Sequence, residues 1–322
     1  MNLFIKTSLL TTVTSILFTL SAQAQSLSLY LENDAIEGKD RHYTNGTSFV
    51  YVSDSYENSF INKIPTPFSK TTNANFGIGF SQLTFTPSDI KEKNKIVGDL
   101  PYAGILNFDF FIYKWSETFF HEYMLTLGMV GPSTKVEQFQ KNFHNITGNN
   151  RPAGWDNQLK DDFLYNFSYS FGHKSYKKTF DYGKLDINNS FRIDLGNYNR
   201  AISISSMIRY GSGYTDNFNT VGRLIGSNEN KQLNLQTTNS KNINWSISYG
   251  LGYRYTDFFY VNDYDKSYNL EKIRETISQV VSLDTYFDKY IISFNFKSNK
   301  SLFGNDNDVK SNWAGISLIY LF

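Results

Sequence analysis

Long segments of strict two-residue alternation constrain this chain more than any other feature. Phe163, Tyr165, Phe167, Tyr169 and Phe171 alternate with Leu164, Asn166, Ser168, Ser170 and Gly172. Ile243, Trp245, Ile247, Tyr249, Leu251, Tyr253 and Tyr255 alternate with Asn244, Ser246, Ser248, Gly250, Gly252 and Arg254. Leu185, Ile187, Phe191, Ile193 and Leu195 alternate with Lys184, Asp186, Asn188, Ser190, Arg192 and Asp194. Successive side chains of a strand point to opposite faces, so each segment has one apolar face and one small, polar or charged face. A soluble sandwich shows the same alternation, and one strand decides nothing. Length separates the two cases. These runs reach about 10 residues or more, which suits tilted strands crossing a bilayer. Strands in soluble sheets average about half that.

The closing segment, Ile316 to Phe322, ends an alternating apolar strand on Phe, the form by which outer-membrane barrels are recognised for assembly. Candidate strands number about twelve, at 26–33, 43–54, 74–84, 102–114, 117–130, 160–172, 182–196, 200–211, 242–255, 275–287, 288–299 and 311–322, with boundaries uncertain by a few residues. The expected fold is all-β: a transmembrane antiparallel β-barrel with a short helix in an extracellular loop. An even count puts both termini in the periplasm. The connections 34–42, 85–101, 131–159, 197–199 and 256–274 then face outside, while 212–241 is a long periplasmic connection, an unusual feature. Aromatic residues make up 17% of the chain, with 23 Tyr and 28 Phe. Mean hydropathy is nevertheless −0.41. A polar average with many aromatics fits a wet interior inside a greasy belt.

Residues 1–24 read as a secretory signal, with Lys6, an apolar run from Ser8 to Leu20 and an A-x-A site at Ala22-Gln23-Ala24. The run is short for a spanning helix of about 20 residues. The mature chain, 25–322, reads as one barrel domain. It has no cysteine, so disulfides play no part in its stability. Net charge is +1, and no global field argues for nucleic acid.

Connection 131–159 holds a helical pattern. Thr134-Lys135-Val136-Glu137 has the form of a capping box, and Gly148 that of a C′ stop. Val136, Phe139, Phe143 and Ile146 make an apolar stripe, whose partner is either the barrel wall or the lipid headgroup zone. Gln140 and His144, four apart, stack beside it. His121 and His173 fall near periplasmic strand ends, and His42 directly precedes the second strand.

Glu32-Asn33-Asp34 and Asp40-Arg41-His42-Tyr43-Thr44-Asn45-Gly46 flank the first turn on the same side as that helix. Carboxylate, amide and hydroxyl oxygens suit a hard cation such as calcium, and the absence of cysteine or a histidine cluster argues against zinc. Asp34 is the first expected ligand. Asn33 either lends its amide oxygen or donates to an oxyanion. Thr44 orients water or binds substrate. As ordinary structure, Asn33 and Asp34 would close an Asx turn. His144 on the same side has the chemistry to take a proton from water, while a neighbouring cation polarises an ester carbonyl. No nucleophile elbow is present, and Ser116 and Ser133 lack an obvious base in sequence. Lys39, Arg41, Lys91, Lys93, Lys95, Lys141 and Arg151 scatter over the outer connections and suit phosphates.

These motifs resemble the outer-membrane lipid A 3′-O-deacylases, the LpxR-type family. The resemblance runs over much of the mature chain. It rests on the two segments above, on Gln82 and Thr86-Pro87-Ser88-Asp89-Ile90, and on Pro101-Tyr102-Ala103-Gly104. Gly131-Pro132, Gln140 to His144, Gly148, Gly154-Trp155 and Gln158 complete it. It implies a twelve-stranded barrel and a calcium-dependent ester hydrolase. The reaction releases the 3′-linked acyl or acyloxyacyl chain of lipid A, in lipopolysaccharide of the outer leaflet. By motif it assigns function to Asn33, Asp34, Thr44 and His144, with Gln140 in support, and His144 activating water. Leu100 stands where many relatives carry Arg, and Asn150-Arg151 where some carry an acid. A phospholipase or lipase of other specificity is the alternative enzyme, and a porin-like barrel the alternative without catalysis. A monomer is expected.

Overall fold

The computed structural model describes residues 24–34, 42–54, 60–214, 218, 242–272, 274–301 and 310–322. Twelve antiparallel strands close into one barrel, each bonded to its neighbours in sequence and the first to the last. They are β1 Ala24–Asn33, β2 His42–Ser53, β3 Asn73–Thr86, β4 Ala103–Trp115, β5 Phe119–Val130 and β6 Asp162–Phe180. The others are β7 Gly183–Gly196, β8 Asn199–Ser212, β9 Asn244–Phe259, β10 Glu275–Phe287, β11 Tyr290–Ser301 and β12 Lys310–Leu321. The expected strands overlap all twelve. Closure is set by β1 against β12, with Ser26 opposite Leu321 and Asn33 opposite Ala314. No sheet edge remains to recruit another chain. The expected signal segment lies outside the described residues up to Ala24, where β1 begins. So do most of 212–241 and all of 35–41, which includes Asp40 and Arg41.

Side-chain parity explains the burial. Leu27, Leu31, Phe49, Phe108, Phe110, Leu125, Phe163, Phe167, Ile204, Ile247, Phe294 and Leu318 all lie exposed on the outward face. That surface is stable only against hydrocarbon. The inward face is layered. Near the rim that holds both chain ends, Val50, Val52, Phe111, Tyr113, Trp115, Phe120, Met124, Met207 and Val280 pack across the lumen. Near the other rim, Tyr43, Leu83, Phe85, Ile105, Tyr198, Tyr260 and Trp313 do the same. Between them runs a buried polar layer. Arg192 meets Asp194 at 2.8 Å, and Arg254 meets Asp194 at 3.1 Å. Nearer the chain-end rim, Arg209 meets Asp186 at 2.7 Å. Charges taken out of water in this way need such partners.

A lumen crossed by two aromatic layers is a poor water channel. Reconstituted in a planar bilayer, the protein should show no discrete, porin-like conductance steps. Regular open-channel steps would favour the porin-like alternative.

Two helices sit at the rim away from the chain ends: α1, Val136–Thr147, and α2, Tyr260–Asp263. Gly148 ends α1 in the left-handed region, φ 73°, and its N–H donates to the His144 carbonyl. The expected stop is therefore formed. The expected capping box is not. The N-cap is Lys135, itself left-handed at φ 60° and without a side-chain capping bond, and Thr134 Oγ1 accepts only a long bond from Val136 N–H at 3.4 Å. The Thr134 hydroxyl donates to the Gly131 carbonyl at 2.7 Å, and Glu137 turns to Lys141 at 2.5 Å. The tight turn after Gly131 uses Thr134 before the helix can.

Candidate active site

At the α1 rim the outward face of the wall changes character. On β3, Phe76, Ile78 and Phe80 point outward, and the same parity continues as Gln82, Thr84 and Thr86. All three of these polar side chains are buried. Thr84 donates to the Asn45 amide oxygen at 2.9 Å and accepts from Gln82 Nε2 at 2.7 Å. The Thr86 and Thr44 hydroxyls meet at 2.7 Å. The register between β2 and β3 shifts between Tyr43 and Asn45. Tyr43 pairs inward with Phe85, their rings 5.4 Å apart. Thr44 is the extra residue, and Asn45 pairs with Thr84. This bulge lets two consecutive polar side chains reach the same face, a usual device for re-aiming a residue beside a site.

β1 supplies the next members. Asn33 lies opposite Asn45 in register, on the outward parity of Leu27 and Leu31. Asp34 is 3% exposed and its backbone N–H donates to the Thr44 carbonyl at 3.0 Å. Strand register and one backbone hydrogen bond thus bring Asn33, Asp34 and Thr44 to the same stretch of the rim. Glu32, one residue earlier, points inward and accepts from the Tyr30 hydroxyl at 2.7 Å and from Tyr43. It is committed to the lumen.

The helix forms the second half. Its buried residues are Val136, Gln140 and His144, and it packs on β3 and β4. The stripe, whose expected partner was either the barrel wall or the lipid headgroup zone, divides here. Val136 alone of that set meets the wall; Phe139, Phe143 and Ile146 stay exposed, and two polar side chains take the inner face. The wall offers Thr and Gln there, so the helix answers with Gln and His. His144 Nδ1 sits 2.6 Å from the Asn150 carbonyl oxygen. A carbonyl only accepts, so Nδ1 carries the hydrogen, and the neutral ring has its lone pair on Nε2. Asn150 acts through its backbone, so the residue type at that position does not set this bond.

Gln140 is fully buried, and its Oε1 accepts from Trp155 Nε1 at 2.8 Å. That bond fixes the amide and leaves Nε2 as the donor. The Trp155 and Tyr102 rings pack at a 44° tilt, 4.9 Å apart, and the Tyr102 hydroxyl donates to the Ile90 carbonyl at 2.9 Å. Trp155 and Tyr102 were expected from the motifs, but not in these roles. Leu100 packs against the aromatic layer of the lumen.

Gly104 shows how closely the helix is seated. It lies on the outward parity of Phe108 and Phe110, and a Cβ there would come 2.4 Å from Val136 Cβ and 2.7 Å from Thr134 Oγ1. Gly104→Ala must push the helix off the wall. Turnover should fall by up to about 100-fold, the scale of an ångström-sized misplacement. Heat-modifiable migration should confirm an intact barrel, and an unchanged rate would show that helix position does not matter.

Serine chemistry finds no support at this rim. Ser133 donates to both Asp161 oxygens, each at 2.8 Å, and these bonds hold the Asp161 carboxyl below the usual range. Ser116 closes the β4–β5 turn, accepting from Phe119 N–H at 3.1 Å. A Ser–His contact does exist, Ser69 with His121 at 2.9 Å, but at the chain-end rim. His173 is also there, stacked on Phe119 at 4.7 Å. Among the loop cations, Lys95 lies 3.8 Å over the Tyr268 ring and Lys141 is paired with Glu137. Lys39 and Arg41 lie outside the described residues.

No group of three or more His, Cys, Asp or Glu side chains gathers among the described residues. Among the described residues, a cation at Asp34 would draw on its carboxylate and on neighbouring amide, hydroxyl and carbonyl oxygens. That donor set fits calcium, which accepts neutral oxygens. It does not suit zinc.

The chain matches the family described as "Outer membrane protein LpxR" over residues 3–322. It matches no curated protein. Its fold is similar to LpxR from Salmonella typhimurium, with TM-score 0.75 and 13% identity, covering 92% of this chain and 100% of that one. It is more distantly similar to the KdgM porin, with TM-score 0.40, 8% identity and coverage of 92% and 99%. The beta domain of the Bordetella autotransporter BrkA gives TM-score 0.45, 7% identity and coverage of 93% and 100%.

Proposed function

The chain belongs to the LpxR family of outer-membrane proteins, and from that premise we propose that it is a lipid A deacylase. It hydrolyses the ester that links the 3′ acyl or acyloxyacyl chain, calcium-dependently, and acts as a monomer behind a signal peptide over 1–24. The carrying observation is the polar, buried patch at lipid-facing parity under α1. A barrel has no structural reason to place buried Thr44, Gln82, Thr84 and Thr86, with half-buried Asn33 beside them in sequence register, on its hydrocarbon face. A lipid ester arriving sideways from the bilayer gives it one. The even strand count, with both chain ends at one rim, supports a reading in which that patch faces the cell exterior, where lipopolysaccharide resides.

In this reading His144 Nε2 takes a proton from water as its oxygen attacks the ester carbonyl carbon. The Asn150 carbonyl holds Nδ1–H and steadies the imidazolium that forms. The proton then passes to the sugar oxygen as the ester bond breaks, leaving a free fatty acid and a 3′ hydroxyl. Thr44 positions the water. Gln140 Nε2, fixed by Trp155, is the supporting donor. Asp34 and Asn33 would hold calcium, which when bound polarises the carbonyl and stabilises the oxyanion.

Mass spectrometry of lipid A from cells with and without the protein tests this. A loss equal to the 3′ chain is expected. Unchanged lipid A alongside new lysophospholipid would instead favour the phospholipase alternative.

A further inference from the structure

The helix α1 has a third surface that the site does not use. Val136, Gln140 and His144 face the wall. One flank is polar: Glu137 pairs with Lys141 at 2.5 Å and accepts from Gln158 at 3.3 Å. On the opposite flank Phe139 is 50% exposed, Phe143 42% and Ile146 85%. With about 3.6 residues per turn, these three span roughly 60° of arc, centred about 90° from the buried face. The side away from the wall carries the exposed amides Gln138, Asn142 and Asn145.

The position of the helix says what meets that flank. Gly104, on outward parity, touches Val136, so α1 lies against the outside of the barrel wall. It starts over β4 and crosses β3, along the ends of strands whose outward faces carry exposed Phe108, Phe110, Met129, Phe163 and Tyr165. That belt is the barrel's interface with hydrocarbon, and the apolar flank continues it. The polar flank meets Gln158 in the loop above the strand ends, so the apolar flank turns toward the bilayer. A helix with one apolar side, lying across the boundary, has the form of an interfacial helix seated about 5–10 Å into the lipid.

We propose that Phe139, Phe143 and Ile146 form a membrane-docking surface seated on outer-leaflet acyl chains. The naming of the leaflet rests on the orientation given under Proposed function; the docking itself does not rest on the reaction. Lipid holds the helix down on the wall, so the roof over Gln140 and His144 closes fully only in a bilayer.

The chain has no cysteine, which permits single-site labelling. Phe143→Cys, Ile146→Cys, Asn142→Cys and Asn145→Cys would each carry a nitroxide, in vesicles of phospholipid and lipopolysaccharide. Power-saturation EPR should find 143 and 146 relaxed mainly by oxygen, and 142 and 145 mainly by a water-soluble nickel chelate. Nickel dominance at all four positions would overturn the proposal. So would spin–spin broadening at 143 or 146, which would mean that a second copy covers the flank. Asn145→Cys on intact cells, treated with an impermeant maleimide, checks orientation separately. Labelling there supports the outer leaflet. Absence of labelling with the depth pattern intact would overturn the leaflet and the orientation, not the docking surface.

Discussion

His144→Ala should slow turnover of lipid A by about two to four orders of magnitude, the usual contribution of a general base. The barrel should still assemble, because His144 lies on a loop helix and takes no part in strand pairing. His144→Asn is the sharper variant. Its amide can donate to the Asn150 carbonyl, as Nδ1 does at 2.6 Å, but it cannot take a proton from water. If His144 only tied the helix to its loop, His144→Asn would recover much of the rate. As a base, it should fail as fully as His144→Ala. Both variants need heat-modifiable migration as a folding check. A folded His144→Ala chain that released the 3′ chain at near-parental rate would remove His144 from the reaction.

The barrel was legible because alternation is written in every strand and survives any error of a residue or two at its ends. Phe163 to Phe171 or Ile243 to Tyr255 admit one pairing face each, and a slip by one residue would put asparagine and serine, and in the second also Arg254, into lipid. The site was legible only as residue identities. The backbone brings Asn33, Asp34 and Thr44 to one stretch of the rim, and Gln140 and His144 share a helix face. What the alternation did not reveal was which side of the wall they occupy. Two signals bear on that. One is the bulge at Thr44, which no local pattern announces. The other is a change of parity within β3, where apolar residues at 76, 78 and 80 give way to apolar residues at 83 and 85. That change is visible in the sequence and marks where the outward face turns polar. The helix was misread at its start, while its stripe was read with either the barrel wall or the lipid headgroup zone as partner. Periodicity finds the apolar stripe and a box motif finds a cap, but both assume water outside and hydrocarbon inside. Here the wall under the helix is polar, and its apolar flank turns toward the bilayer.

Asp34→Ala should lose about two to three orders of magnitude, the scale of removing one stabiliser of a developing oxyanion. The loss should match that of the parent chain in excess chelator, and chelator should then add little to the variant. Restoring calcium should rescue the parent alone. Asp34 is buried at 3% exposure, and Glu32 is turned inward to Tyr30 and Tyr43. Asp34→Asn separates charge from shape. It keeps an oxygen and the backbone bond to Thr44, so barrel and rim should persist while the calcium requirement moves upward. Asp40→Ala should instead act on the loop and leave the calcium midpoint in place. Full activity of the parent in chelator would end the metal role, and the oxyanion would then fall to Asn33 and Gln140 as hydrogen-bond donors.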